Sequence, residues 1–348
     1  MVRKLAAAFL IIILTCNLAS CGNQEQEQKR YEAEFLMLFD TVTRIIGYSD
    51  SKEEFTKQSS MIYDNLEKYH QLYDIYNDYD GINNIKTINE QAGIAPVKVD
   101  QEIIDLLLFS KEAYQMTDGK VNAAFGAVLR IWHEHREAGI AEPEKATLPD
   151  MDQLKEASKH TDINQVMIDE ENSTVYLTDP EMSLDVGAVA KGYATEQVAG
   201  IAEKNGFTSG LISVGGNVRS IGVKGDGTPW KVGVQNPYDQ TGEDISKVNI
   251  TEASLVTSGV YERYYTVDGK NYHHIIDPVT LYPAEYFLSV SILCPDSGLA
   301  DALSTSIFNM PFDQGLALIE SLPDTEALWV FPDKQVKTSS RFDDFVAE

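Results

Sequence analysis

The chain has 348 residues, 54 acidic against 28 basic for a formal net charge of −26, and 43% hydrophobic content. An excess of that sign argues against nucleic acid or an anionic lipid surface as a partner, because both repel an acidic protein. The length is enough for one large domain or two intimate lobes with a sizeable core, and no internal repeat divides it.

The first segment reads as a leader. Arg3 and Lys4 precede an apolar stretch over residues 5–14, too short to span a bilayer as a stable helix, and Leu18-Ala19-Ser20-Cys21-Gly22 resembles a bacterial lipobox. Residues 1–20 are therefore expected to be a lipoprotein signal peptide. Cys21 would be the lipidated first residue of the mature chain, held on the extracytoplasmic side of the cell membrane. Residues 21–30, rich in Gln, Glu and Asn, read as a flexible tether, and residues 31–348 as the functional domain. Cys16 falls in the segment to be removed, so Cys294 is left alone and no intramolecular disulfide is available to the mature chain.

Asp50 or Ser51 is placed to cap a helix whose Phe55, Ile62, Leu66 and Tyr69 share a face. Asp100 caps another, carrying Ile103, Ile104, Leu107, Leu108 and Tyr114. Two helices thus precede the first ligand-facing turn. Residues 165–168 and 174–177 flank a polar turn as a hairpin, and a helix from Val189 ends near Asn205-Gly206. Strands dominate residues 210–293, and the alternation over residues 288–293 predicts a half-buried strand that ends in an inert core thiol, Cys294. Helices return over residues 299–309 and 312–321, and residues 327–331 form a last strand. This segregation predicts an α+β fold, strand-rich in its C-terminal half.

Chemistry concentrates in Ser183-Leu-Asp-Val-Gly-Ala-Val-Ala-Lys-Gly-Tyr-Ala-Thr-Glu196. Gly187, Ala188 and Ala190 let the backbone approach a ligand, the helix start offers unpaired N–H groups, and Lys191 adds a full positive charge, an arrangement suited to phosphate. Asp301 and Thr305 are four residues apart on a helical stretch, so a carboxylate and a hydroxyl share one face and suit a hard cation such as Mg²⁺.

Between these lie Ser213-Val214-Gly215-Gly216-Asn217-Val218, the alternating Trp230-Lys231-Val232-Gly233-Val234-Gln235-Asn236-Pro237, and Thr257-Ser258-Gly259-Val260-Tyr261-Glu262-Arg263. The last leads through Asp268-Gly269 into His273-His274-Ile275-Ile276-Asp277-Pro278-Val279-Thr280. In this order the motifs resemble the FAD:protein FMN transferase (ApbE) family. The resemblance implies Mg²⁺-dependent transfer of the FMN half of FAD to a threonine or serine hydroxyl of an acceptor flavoprotein, expected to be a membrane redox subunit or another exported flavoprotein, with release of AMP. It also implies a third metal ligand, the Ala188 carbonyl, and FAD contacts from Asp185, Lys191 and Ile275. Weaker likenesses add Phe39, where the family often has Met-Gly-Thr against Phe39-Asp40-Thr41 here. Tyr76 belongs to a Tyr73, Tyr76, Tyr79 series suited to ring stacking, and Lys120-Val121-Asn122 follows Thr117-Asp118-Gly119.

His274 and Asp277 are the candidates for proton handling: His274 has the suitable side chain, while Asp277 could orient a partner or hold the turn before Pro278. His273, adjacent in a strand, would face the other way. Two departures from the family stand out: Leu281 where it has glycine, expected to reshape that turn because leucine avoids positive φ, and Asn122 in place of a frequent acid. Two other readings stay open, a Mg²⁺-dependent FAD pyrophosphatase giving FMN and AMP, and a non-catalytic flavin-binding lipoprotein. The Asp301 and Thr305 pair favours an enzyme over a binder.

Overall fold

The computed structural model describes residues 28–238 and 243–347, so the expected signal peptide, Cys21 and most of the tether lie outside the described residues. Strands β1 (Lys29–Leu38) and β2 (Thr41–Ser49) form an opening hairpin, and β1 thus begins two residues inside the segment read as tether. Contrary to the expectation that two helices come first, the turn of this hairpin is the first to reach the site. Its signal is hidden because no glycine marks it: Met37, Phe39 and Asp40 take left-handed φ values of 82°, 51° and 54°.

Helix α1 (Lys52–Tyr73) follows, capped by Ser51, whose hydroxyl accepts from the Glu54 amide at 3.1 Å, and it buries Phe55, Ile62, Leu66 and Tyr69 as expected. Next come α2 (Ile85–Glu90), β3 (Val97–Lys98) and α3 (Gln101–Met116). Asp100 occupies the cap position of α3 without a side-chain cap bond; its carboxylate lies 3.7 Å from the Lys68 ammonium instead. After α4 (Gly126–Ala141) and α5 (Met151–Ala157), β4 (Val166–Asp169) and β5 (Thr174–Leu177) make the expected hairpin, joined on its far side by β3. Helix α6 (Ala190–Lys204) stops at Asn205, and Gly206 turns the chain with φ 88°.

The strand-rich half holds β6 (Gly210–Val214), β7 (Asn217–Ile221), β8 (Trp230–Gln235), β9 (Asp244–Ile250) and β10 (Ser254–Gly259). The hairpin β11 (Tyr264–Val267) and β12 (Lys270–His273) and then β13 (Ser289–Cys294) complete it. The chain closes with α7 (Ser297–Phe308), α8 (Phe312–Glu320), β14 (Glu326–Val330) and one strand beyond the expected last, β15 (Val336–Thr338).

Eight strands form one antiparallel sheet in the order β1-β2-β6-β7-β10-β13-β14-β15. Alternate residues of β13 enter different cores. Val290 and Ile292 pack with Phe308 and Trp329 beneath α7 and α8, while Leu293 packs with Trp230 and Val248 beneath β8 and β9. Covered on both faces, β13 is buried along its whole length rather than half-buried, and Cys294 at its end is 2% exposed with its thiol pKa pushed up by burial.

Candidate active site

Helices α6 and α7 approach closely enough that a side chain could not stand between them: a Cβ on Gly192 would lie 2.2 Å from the Ser297 carbonyl oxygen and 2.4 Å from Asp301 Cβ. Beside this contact opens a cleft of about 390 Å³. Its walls come from the β1–β2 turn, the loop after α1, α4, the start of α6, the Gly215-Gly216 turn between β6 and β7, and the segment after β12. Phe39, Tyr76, Lys120, Val121, Asn122, Asp185, Ala188, Lys191, His274, Ile275, Asp301 and Thr305 all line it. Asp277 does not; it lies behind the wall.

One corner of the cleft is rich in oxygen. The Gly192 N–H, four residues after Ala188, donates to Asp301 Oδ2 at 2.8 Å instead of closing a helical turn, which leaves the Ala188 carbonyl without an amide donor among the described residues. Thr305 Oγ1 has no hydrogen-bond partner there either, and the Asn309 Oδ1, 1% exposed as a residue and four residues on at the C-cap of α7, is an unpaired buried acceptor. Burial raises the Asp301 pKa, offset by Lys191, whose ammonium is 4.0 Å away, and by the Gly192 N–H and the Asn217 amide. A carbonyl, a carboxylate and a hydroxyl, with a buried negative charge only partly compensated, fit a hard divalent cation.

Asp185 is not a helix cap, since Val189 holds that position for α6. Its Oδ1 accepts from the Gly187 N–H at 2.9 Å and so shapes the turn that presents Ala188. Burial raises its pKa against the pull of Gly187, His133, Arg136 and Arg263. Lys120 donates to Asp277 Oδ1 at 2.9 Å, and the same oxygen accepts from the Val279 N–H at 2.9 Å. Asp277 therefore orients Lys120 and holds the turn, which places it away from proton transfer. In that turn Leu281 takes φ 62°, so the glycine-like backbone is kept rather than reshaped. The residue is buried beside Trp132, whose indole N–H donates to its carbonyl at 2.9 Å.

The carbonyl of Arg263 accepts from the His274 backbone N–H at 3.1 Å and faces His274 Nδ1 at 3.2 Å. A carbonyl can only accept, so the neutral ring carries its proton on Nδ1 and leaves Nε2 as a lone pair. Burial, then the charges of Arg263 and Lys191, push the His274 pKa down to about 3, which keeps the ring neutral at physiological pH. His273 turns the other way, its ring edge-on to Phe308 at 5.6 Å and its Nε2 2.8 Å from the Ala284 carbonyl.

Sequence reasoning missed His133 and Arg136. Tyr76 stacks on His133 at 4.9 Å between centroids, and Arg136 donates to His133 Nδ1 at 2.7 Å, extending the aromatic wall with a cation. Burial pushes the Tyr76 pKa up to about 12. Spacing along α4 carries no signal for this pair, because the cleft is made by packing α4 against distant loops. Asn309, by contrast, was within reach of the helical stripe argument that found Asp301 and Thr305.

The ApbE family model matches residues 39–329. A protein of Treponema pallidum named FAD:protein FMN transferase is 32% identical, over 95% of this chain and 92% of its own length. One of the same name from Klebsiella pneumoniae is 31% identical over 78% of this chain and 83% of its own. Among solved structures, the ApbE protein of Thermotoga maritima superposes with a TM-score of 0.80 at 30% identity, covering 92% of this chain and all of that one.

Proposed function

The chain belongs to the ApbE family, and we propose that it acts as its relatives are named, as an FAD:protein FMN transferase, moving FMN from FAD to a threonine or serine hydroxyl of an acceptor flavoprotein and releasing AMP. The observation that carries this is the joining, in one cleft, of an oxygen-rich corner beside Lys191 with a histidine whose free nitrogen is fixed by Arg263.

Ala188, Asp301 and Thr305 would hold Mg²⁺. When bound, that ion supplies charge neutralisation of the pyrophosphate. Lys191 adds a cation to the same corner, and the Gly187-Ala188 turn allows close backbone approach. Tyr76, stacked on His133, and Phe39 flank the ring systems of FAD. His274 Nε2 accepts the proton of the attacking hydroxyl as its oxygen bonds to the FMN-side phosphorus. The bond from that phosphorus to the oxygen of AMP breaks, and its electron pair leaves with AMP. Lys120, held by Asp277, contributes a further donor at the cleft wall.

The same reading anchors the enzyme outside the cytoplasmic membrane through lipid on Cys21. The deciding experiment is incubation of the purified protein with FAD, Mg²⁺ and a candidate exported flavoprotein, followed by mass spectrometry of the acceptor. An FMN adduct is expected; release of free FMN with an unmodified acceptor would favour the pyrophosphatase.

A further inference from the structure

The end of β1 and the β1–β2 turn together hold three non-glycine residues in left-handed conformation within four positions, Met37, at the bulge before Leu38, then Phe39 and Asp40. Each such residue costs about 1–2 kcal/mol, so the turn must be held from outside. One polar chain reaches it. The Phe39 N–H donates to His70 Nδ1 at 3.2 Å, His70 Nε2 lies 3.3 Å from the Tyr79 hydroxyl, and that hydroxyl donates to Asp74 Oδ2 at 2.7 Å. Asp74 Oδ1 also accepts from the backbone N–H groups of Tyr76, at 2.6 Å, and Asn77, at 3.1 Å.

Proton placement along the chain has one solution. Burial raises the Asp74 pKa, but its hydrogen bonds to Asn77, Tyr76 and Tyr79 outweigh that and hold it low, so the carboxylate can only accept. Tyr79 then spends its single proton on Asp74 and must accept from His70 Nε2–H. A neutral His70 is left with its lone pair on Nδ1, where the Phe39 N–H points. The ring also meets Phe39 edge-on, with centroids 5.5 Å apart at 69°.

We propose that His70 is a positioning residue for flavin binding, holding Phe39 in its left-handed turn through an Asp74–Tyr79–His70 relay that also fixes Tyr76 on the facing wall. The relay lets this chain place Asp40 where the family often has glycine. What the turn binds rests on the flavin-transfer reading above; how it is held does not.

The test is a double-mutant cycle in the full chain. His70→Phe keeps a ring against Phe39 and removes both nitrogens. FAD affinity, measured by flavin fluorescence quenching, should fall about tenfold, the scale of one lost hydrogen bond. Asp40→Gly removes strain at one of the three positions, so in that background the same His70→Phe change should cost about threefold or less. An undiminished loss in the Asp40→Gly background, or wild-type affinity for His70→Phe, would overturn the proposal. A second readout needs no flavin: ¹⁵N NMR of the wild type should show His70 as the Nε2–H tautomer, and the Nδ1–H tautomer would overturn the relay. Failure of the wild type to bind FAD would count against the transferase reading, with the tautomer still judging the relay.

Discussion

Gly192 and Asp301, 109 residues apart, share one hydrogen bond from backbone N–H to Oδ2 at 2.8 Å, and this bond both orients the carboxylate and frees the Ala188 carbonyl. Adding a methyl group at Gly192 would force α6 from α7, because the new Cβ meets the Ser297 carbonyl oxygen at 2.2 Å. Gly192→Ala should cost about 1–3 kcal/mol of stability, as overpacked cores do, and lower flavin transfer further than the stability loss explains. Wild-type melting temperature and activity together would show that the contact is not as tight as described.

Asp301→Ala removes a carboxylate that burial already disfavours. The fold should persist with an unchanged or higher melting temperature, while transfer is abolished and titration calorimetry in the presence of FAD no longer detects Mg²⁺ binding. Full activity of the wild type in saturating EDTA would count against any metal role.

His274→Asn should lower kcat by roughly 10²- to 10⁴-fold with little change in FAD affinity, since a general base acts in the transition state. Equal losses in both would make the residue structural. The folded pKa lies below the ordinary imidazole value of about 6.5, so the stability His274 contributes is complete above that pH and is lost as pH falls towards about 3. The acid limb of kcat/KM for the free enzyme should accordingly fall below the usual histidine range; a limb near 6.5 would assign the base elsewhere.

Leu281 sets two effects against each other. A glycine there would relieve about 1 kcal/mol of left-handed strain but would remove a side chain buried among Trp132 and its neighbours, worth about 2–5 kcal/mol. Leu281→Gly should therefore destabilise by about 1–4 kcal/mol, read by denaturant midpoint. A stabilised variant would mean that strain dominates.

Cys21→Ser should move the protein from the membrane fraction or leave it unprocessed, because acylation needs the thiol. A lipidated, processed mutant would rule out the lipobox.

The residues legible in the sequence share a property: each sits in a local pattern that dictates geometry. Ala188 and Lys191 belong to one tight turn, Asp301 and Thr305 to one helical stripe, and Asp268-Gly269 to a two-residue hairpin turn with φ values of 49° and 80°. The illegible ones depend on packing between distant segments. His70 and Arg136 face the cleft because α1 and α4 converge on it, and β1 and β2 escaped notice because their turn uses Phe39 and Asp40 where glycine would announce it. Leu281 shows a related limit, since burial can hold a backbone conformation that side-chain preference alone argues against.

The Lys120 to Asp277 bond spans 157 residues, and the oxygen corner closes only when α7 packs on α6. No nascent chain that stops short of Thr305 possesses the site. Flavin binding at this site therefore waits for the last part of synthesis, and an N-terminal fragment ending before Thr305 would carry the Lys191 turn but no oxygen corner beside it.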